Sequence, residues 1–193
     1  MSELVGILLA AGVGRRFGSD KLLHLLPTQV PIAVTAAKQL RAELPRCVAV
    51  VRPGSTVLMQ ALHDLQFEVV ECIDADTGMG ASLACAIKAA GSAKGYVVAL
   101  GDMPFIRRSS IAAVRDAIDA GAALSAPYFR ARRGHPVGIA GQFEQTLVQA
   151  RGDAGARALF ETHAALIKKI PVGDPGVVRD IDTPADLSPR FSV

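Results

Sequence analysis

Leu8-Leu-Ala-Ala-Gly-Val-Gly-Arg-Arg-Phe-Gly-Ser-Asp-Lys21 is the stretch that decides how this chain is read. An apolar run from Leu4 to Ala11 stops at Gly12, Gly14 and Gly18, and Arg15, Arg16 and Lys21 stand around those glycines. A strand feeding a glycine-rich loop lets backbone N–H groups approach a polyphosphate, because no Cβ intervenes. Arginine and lysine then neutralise charge that backbone dipoles leave uncompensated. The pattern predicts a loop for a nucleoside triphosphate. It is not a Walker loop, which needs Gly and Lys adjacent, whereas Gly18 and Lys21 are separated. Nor does it fit the dinucleotide fingerprint, whose third glycine falls on Phe17. The plainer alternative is a glycine-rich turn carrying solvated charges.

Composition narrows the class. At 193 residues, half of them hydrophobic and 20% charged, the chain is long enough for one domain with a full core, which rules out general disorder. A net charge of +3 suits an anionic small ligand. With two Tyr, no Trp and no long basic run, a nucleic-acid platform is not expected. Cys47, Cys72 and Cys85 form no Cys-x-x-Cys pair, so they read as buried thiols of a reducing compartment. Glu3 stands where an export signal would be basic, and no apolar run reaches the length of a membrane span. A cytoplasmic protein without membrane partners is expected.

Apolar β-rich runs alternate with helical patterns, which predicts a mostly parallel sheet covered by helices on both faces. Strands are expected near Val5–Leu9, Val48–Val51, Phe67–Cys72, Tyr96–Leu100 and Leu124–Pro127. Helices are expected near Ile32–Leu44, Val57–Leu65, Ala81–Ala90, Ser110–Ala120, Gln142–Ala150 and Ala154–His163. Runs at His135–Ile139 and Leu166–Ile170 should extend the sheet, one of them antiparallel. No repeat or linker divides residues 1–193, so one domain is expected.

Four further segments carry candidate chemistry. Val97-Val98-Ala99-Leu100-Gly101-Asp102 is a strand ending in Gly-Asp, which places a carboxylate at the sheet edge where the Gly12 loop also emerges. Opposite a triphosphate, such a carboxylate suits Mg²⁺, which takes one or two carboxylates plus phosphate oxygens. The alternative is that Asp102 caps the following helix. Late in the chain, Asp180 and Asp182 alternate along Arg179-Asp-Ile-Asp-Thr-Pro184, a second metal contact or equally the cap and first turn of a helix. Gly78, Gly80 and Ser82 stand at a helix start, a place for backbone contacts to a polar ligand or an ordinary N-terminus. His135, after Arg133, and Arg157, on a helix that Asp153 would cap, suit an anionic pocket, although a histidine before proline is commonly structural.

The spacing Ala10-Ala11-Gly12-x-Gly14-x-Arg16-Phe17-Gly18-x-x-Lys21 resembles the signature loop of the MobA-like nucleotidyltransferases, most closely their molybdenum cofactor cytidylyltransferase branch. Gly-Asp-Met-Pro at 101–104 and Asp-x-Asp-Thr-Pro at 180–184 resemble the later motifs of that family, in order, over Val5 to Leu187. The resemblance implies a Rossmann-like three-layer α/β/α domain. Arg16 and Lys21 would hold the triphosphate, Gly12 and Gly14 would approach it, and Asp102 and Asp182 would clamp Mg²⁺, with Asp180 a weaker candidate. Ala10, Ala11, Gly80 and Ser82 would form the nucleotide pocket, with His135 and Arg157 on the side of the second substrate. The implied reaction transfers CMP from CTP to the phosphate of molybdenum-loaded molybdopterin. Transient contact with a recipient molybdoenzyme or its chaperone would follow. Ala10-Ala11-Gly12 resembles the cytidylyl branch, whereas guanylyl relatives show Ala-Gly-Gly. One departure is visible: relatives carry a Gly-x-Pro turn where this chain has Leu26-Pro-Thr-Gln-Val-Pro31. The rival readings are another phosphorylated acceptor, GTP as donor, a dinucleotide oxidoreductase and a non-catalytic delivery protein. Val51-Arg52-Pro53 supplies no acidic residue at the end of the second strand, which speaks against the dinucleotide.

Overall fold

The apolar run at the N-terminus forms β1 (Leu4–Ala10), in which every residue is buried. A strand covered on both faces must be apolar throughout, because alternate side chains point to opposite layers. Leu4, Leu8 and Ala10 point into one core with Leu40, Leu62 and Val114. Val5, Ile7 and Leu9 point into the other, with Leu83, Ile87 and Phe160. The computed structural model describes residues 3–12, 17, 20–152 and 155–187.

Around β1 lie β2 (Arg46–Val51), β3 (Glu68–Glu71), β4 (Gly95–Leu100), β5 (Leu124–Phe129), β6 (Arg132–Arg133), β7 (Val137–Ala140) and β8 (Ile167–Pro171). They form one sheet in the order β3-β2-β1-β4-β7-β5-β6, with β8 also paired to β5. The pairs β1–β2, β1–β4, β2–β3 and β5–β8 are parallel. β7 is antiparallel to both β4 and β5, so β1, β4 and β5 all run in one direction and end at one edge. On one face lie α1 (Ile32–Arg41), α2 (Thr56–Asp64) and α4 (Arg108–Asp119); on the other lie α3 (Met79–Ala90), α5 (Glu144–Val148) and α6 (Arg157–Thr162). The expected three-layer α/β/α arrangement is present, with a mostly parallel sheet.

Several boundaries differ from the sequence reading. The helix expected over Gln142–Ala150 is a 3-10 turn followed by the short α5, and the one expected from Ala154 starts at Arg157. The strand expected from His135 begins at Val137, since Pro136 has no N–H to donate to a ladder. The antiparallel member of the expected pair is β7; β8 runs parallel to β5. α4 starts without a side-chain cap of its own. Its first turn is satisfied by buried Asp174, whose Oδ2 accepts from the Arg107 amide and the Ser110 hydroxyl, each at 2.8 Å. Asp174 Oδ1 accepts from the Gly176 amide at 2.9 Å. Gly176 lies so close to the Phe105 carbonyl that a Cβ there would collide with it, which seals the joint between these segments.

Candidate active site

The site grows out of the shared strand edge. Gly101 donates its amide to Leu9 O at 2.9 Å, so the chain leaving β4 stays beside the end of β1 and delivers Asp102 there. Asp102 does not cap α4, whose first turn Asp174 serves. Its carboxylate instead accepts from Lys21 Nζ at 2.9 Å. Lys21 opens a three-residue 3-10 turn and is buried. The same ammonium lies 3.3 Å from Asp182.

Asp182 is brought there by its neighbours. Ile181 is fully buried against Phe17, Leu26 and Ile32, and its amide donates to Asp102 O at 3.0 Å. Asp186 Oδ2 then accepts from the amides of Asp182 and Thr183 and from the Thr183 hydroxyl. Thr-x-x-Asp over 183–186 is the spacing of a capping box, a signal open to sequence reading. Both expected metal ligands are therefore adjacent, while Asp180 is exposed outside the cluster. Burial alone would lower the Lys21 pKa. Asp102 above all, and Asp182, outweigh it and hold the amine above its ordinary value, so the side chain stays charged.

Beside this cluster opens a cavity of about 460 Å³, lined among others by Ala11, Gly12, Lys21, Met79, Ser82 and Asp102. That volume suits a small-molecule ligand. Gly78, with φ of 128°, turns the chain into α3, so the N-terminus of a twelve-residue helix faces the cavity, where its dipole favours an anion. Ala75 and Asp76 complete that wall and carried no sequence signal.

The other expected site residues fall differently. Gly14 and Arg16 lie outside the described residues. Ala10 is buried as the last residue of β1, next to the cavity lining. Gly80 packs against the Arg151 backbone, with no room for a Cβ, so its observed role is to seat α3. Arg157 is exposed on α6 and pairs with Glu161 at 2.6 Å, away from the cavity lining. His135 lies on the β7 side and feels the Asp102 charge. Burial pushes its pKa down to about 4 against the pull of Val98 and Asp102, so the ring is neutral at pH 7. Its Nδ1 is sealed from solvent with no hydrogen-bond partner among the described residues. The Leu26–Pro31 departure closes as a tight turn, with the Leu26 amide donating to Val30 O and Gln29 at φ of 60°.

Two converging carboxylates, only half offset by one ammonium, offer the hard oxygen donors that Mg²⁺ prefers, with phosphate oxygens to complete the shell. No helix among the described residues is long and apolar enough to cross a membrane.

The family model described as the MobA-like NTP transferase domain matches residues 6–166. Nicotine blue oxidoreductase of Paenarthrobacter nicotinovorans is 28% identical over 188 residues, covering 93% of this chain and 92% of that protein. The crystal structure of a homologue of Mycobacterium tuberculosis Rv0371c, from Mycobacterium sp. strain JC1, superposes with a TM-score of 0.81 and 27% identity, covering 95% of this chain and 92% of that one. Rv0371c of M. tuberculosis H37Rv in complex with manganese superposes with a TM-score of 0.77 and 23% identity, covering 96% of each chain.

Proposed function

Because the chain belongs to the MobA-like NTP transferase domain family, we propose that it transfers CMP from CTP to the terminal phosphate of molybdenum-loaded molybdopterin and releases pyrophosphate. The observation that carries this reading is the Lys21–Asp102–Asp182 cluster at the mouth of the cavity formed by Ala11, Gly12 and the start of α3. The cavity takes the nucleotide, with Ala11 and Ser82 beside the base and Gly12 beside the phosphates. Asp102 and Asp182 hold a divalent metal, Mg²⁺ in the cell; the manganese complex of Rv0371c, at 23% identity, is in keeping with that choice. Such a metal supplies Lewis-acid polarisation and a template for in-line displacement. Lys21 and Arg16 stabilise the charge that gathers on departing pyrophosphate. The acceptor needs no general base, because a phosphate monoester with a second pKa of about 6 is largely dianionic at neutral pH. Neutral His135 faces the acceptor side without adding charge to it. Three cysteines without a Cys-x-x-Cys pair suit a reducing compartment, which supports a cytoplasmic reaction.

A second reading has one observation in its favour: a relative 28% identical over most of the chain is named nicotine blue oxidoreductase. On this reading the cavity would take a dinucleotide, and a hydride would pass between it and nicotine blue. One experiment separates the two. The protein is incubated with Mg²⁺, molybdopterin and each of the four NTPs, and in parallel with NADH or NADPH and nicotine blue. Pyrophosphate with CTP and no reduction of nicotine blue supports transfer. Reduction of nicotine blue without pyrophosphate from any NTP supports the oxidoreductase. Pyrophosphate with a sugar phosphate in place of molybdopterin, or with GTP, keeps nucleotidyl transfer and changes the substrate.

A further inference from the structure

Lys21 stands where a metal would stand. Its ammonium lies at the point on which the two carboxylates converge, 2.9 Å from Asp102 and 3.3 Å from Asp182. The side chains are 8%, 24% and 49% exposed respectively, so the lysine is the inner member of the group and the carboxylates the outer ones. A divalent ion shared by those oxygens would meet this ammonium at contact range. In a half-buried site two cations so placed repel strongly. We propose that Lys21 and the divalent metal are alternative occupants of one cation site. The ammonium fills it in the nucleotide-free protein and leaves it, for the oxygens of the triphosphate, when metal and nucleotide arrive together.

The charges favour such an exchange. Counted over these three side chains, one ammonium between two carboxylates leaves a formal charge of −1, whereas a divalent ion in its place would balance the two carboxylates. The displaced ammonium is then free to partner the most anionic group present. The side chain is suited to the move, being a compact point charge on a flexible four-carbon stem, unlike the planar fork of arginine. It also springs from a three-residue 3-10 turn, free of the pairing that holds a strand. The consequence is an order of binding: metal enters with nucleotide, and the nucleotide-free protein resists it. The identity of the triphosphate rests on the transferase reading, but the exchange is a property of three side chains and is measured without turnover.

Mn²⁺ titration of the nucleotide-free protein, followed by electron paramagnetic resonance, tests it. Lys21→Met should bind Mn²⁺ at least about tenfold more tightly than the parent, since the competing charge is gone. Lys21→Met combined with Asp102→Asn should lose that gain. Equal Mn²⁺ affinity in parent and Lys21→Met, or a gain that survives Asp102→Asn, would overturn the proposal. Should Lys21→Met not fold, the parent protein answers by itself through amine acetylation read by mass spectrometry. Labelling of Lys21 should rise with Mn²⁺ at the midpoint of Mn²⁺ binding. Mn²⁺ bound at the carboxylates with no change in Lys21 labelling contradicts the exchange. Neither readout depends on pyrophosphate release, so a failed transferase assay and a failed exchange are separate results.

Discussion

From β3 to β4 the sheet is built of parallel strands that follow one another through helices, whereas from β7 to β8 an antiparallel strand is threaded between parallel neighbours and a two-residue strand closes a hairpin. The two halves position their side chains by different means. In the first, ligand-facing groups arrive at strand ends as a consequence of register: Leu9 lies opposite Leu100, so Ala11 and Asp102 emerge together. In the second, segments distant in sequence are joined at particular residues. Asp174 ties the loop after β8 to α4, Gly134 leaves room for the Val177 carbonyl, and the Ile181 amide docks on Asp102. The first half offers a cavity, and the second supplies the late carboxylate that completes the site.

That contrast can be broken at its centre first. Asp102 belongs to the parallel half but holds the contact from the other, so Asp102→Asn should cut transfer at least about a hundredfold, roughly 2.7 kcal/mol of barrier, and leave the fold intact. Steady-state pyrophosphate release and circular dichroism check both parts.

Away from the chemistry, the joints of the second half should cost stability. Asp174→Ala strands the Arg107 and Gly176 amides and the Ser110 hydroxyl. The expected loss is about 3 kcal/mol in urea unfolding, since buried donors are left without acceptors. Gly176→Ala forces a Cβ onto the Phe105 carbonyl and should cost about 1–3 kcal/mol. Gly12→Ala is the matching change in the first half, where no described atom lies within 4 Å of the added carbon. It should change stability by no more than about 0.5 kcal/mol. Equal losses for the two alanines would erase the distinction between the halves.

A further effect is pH-dependent. The His135 pKa is about 4 in the fold, against an ordinary 6.5. Between those values the unfolded chain binds more protons, so stability falls as pH drops below about 6.5, by at most about 1.4 kcal/mol per pH unit. His135→Asn should flatten that slope in thermal melts between pH 4 and 6.5 and leave stability above pH 7 on a plateau.

The parallel half was the legible one. β1 announced itself as an unbroken apolar run, Gly-Asp marked the end of β4, and Gly91 stopped α3 at the expected residue. The second half hid more. A two-residue β6 has no period to detect, and a strand's direction is not written in its composition. α5 and α6, of five and six residues, are too short for a helical period to fix their ends. Asp174-Pro175-Gly176 could have been read as a local cap, but not as the cap of a helix that starts sixty-six residues earlier. Within the site, the types of Lys21, Asp102 and Asp182 were legible and their mutual contact was not. A lysine that follows a glycine loop reads as a phosphate contact, whereas the fold brings it to carboxylates delivered by β4 and the late loop.

The most direct measurement follows the label of CTP. With Mg²⁺ and molybdopterin, phosphorus-32 at the α position should appear in the acceptor product, while label at the γ position should leave as pyrophosphate, in equal amounts. Label that stays in CTP at both positions, under conditions where the protein reduces nicotine blue with NADH, would contradict nucleotidyl transfer at the Lys21–Asp102–Asp182 site.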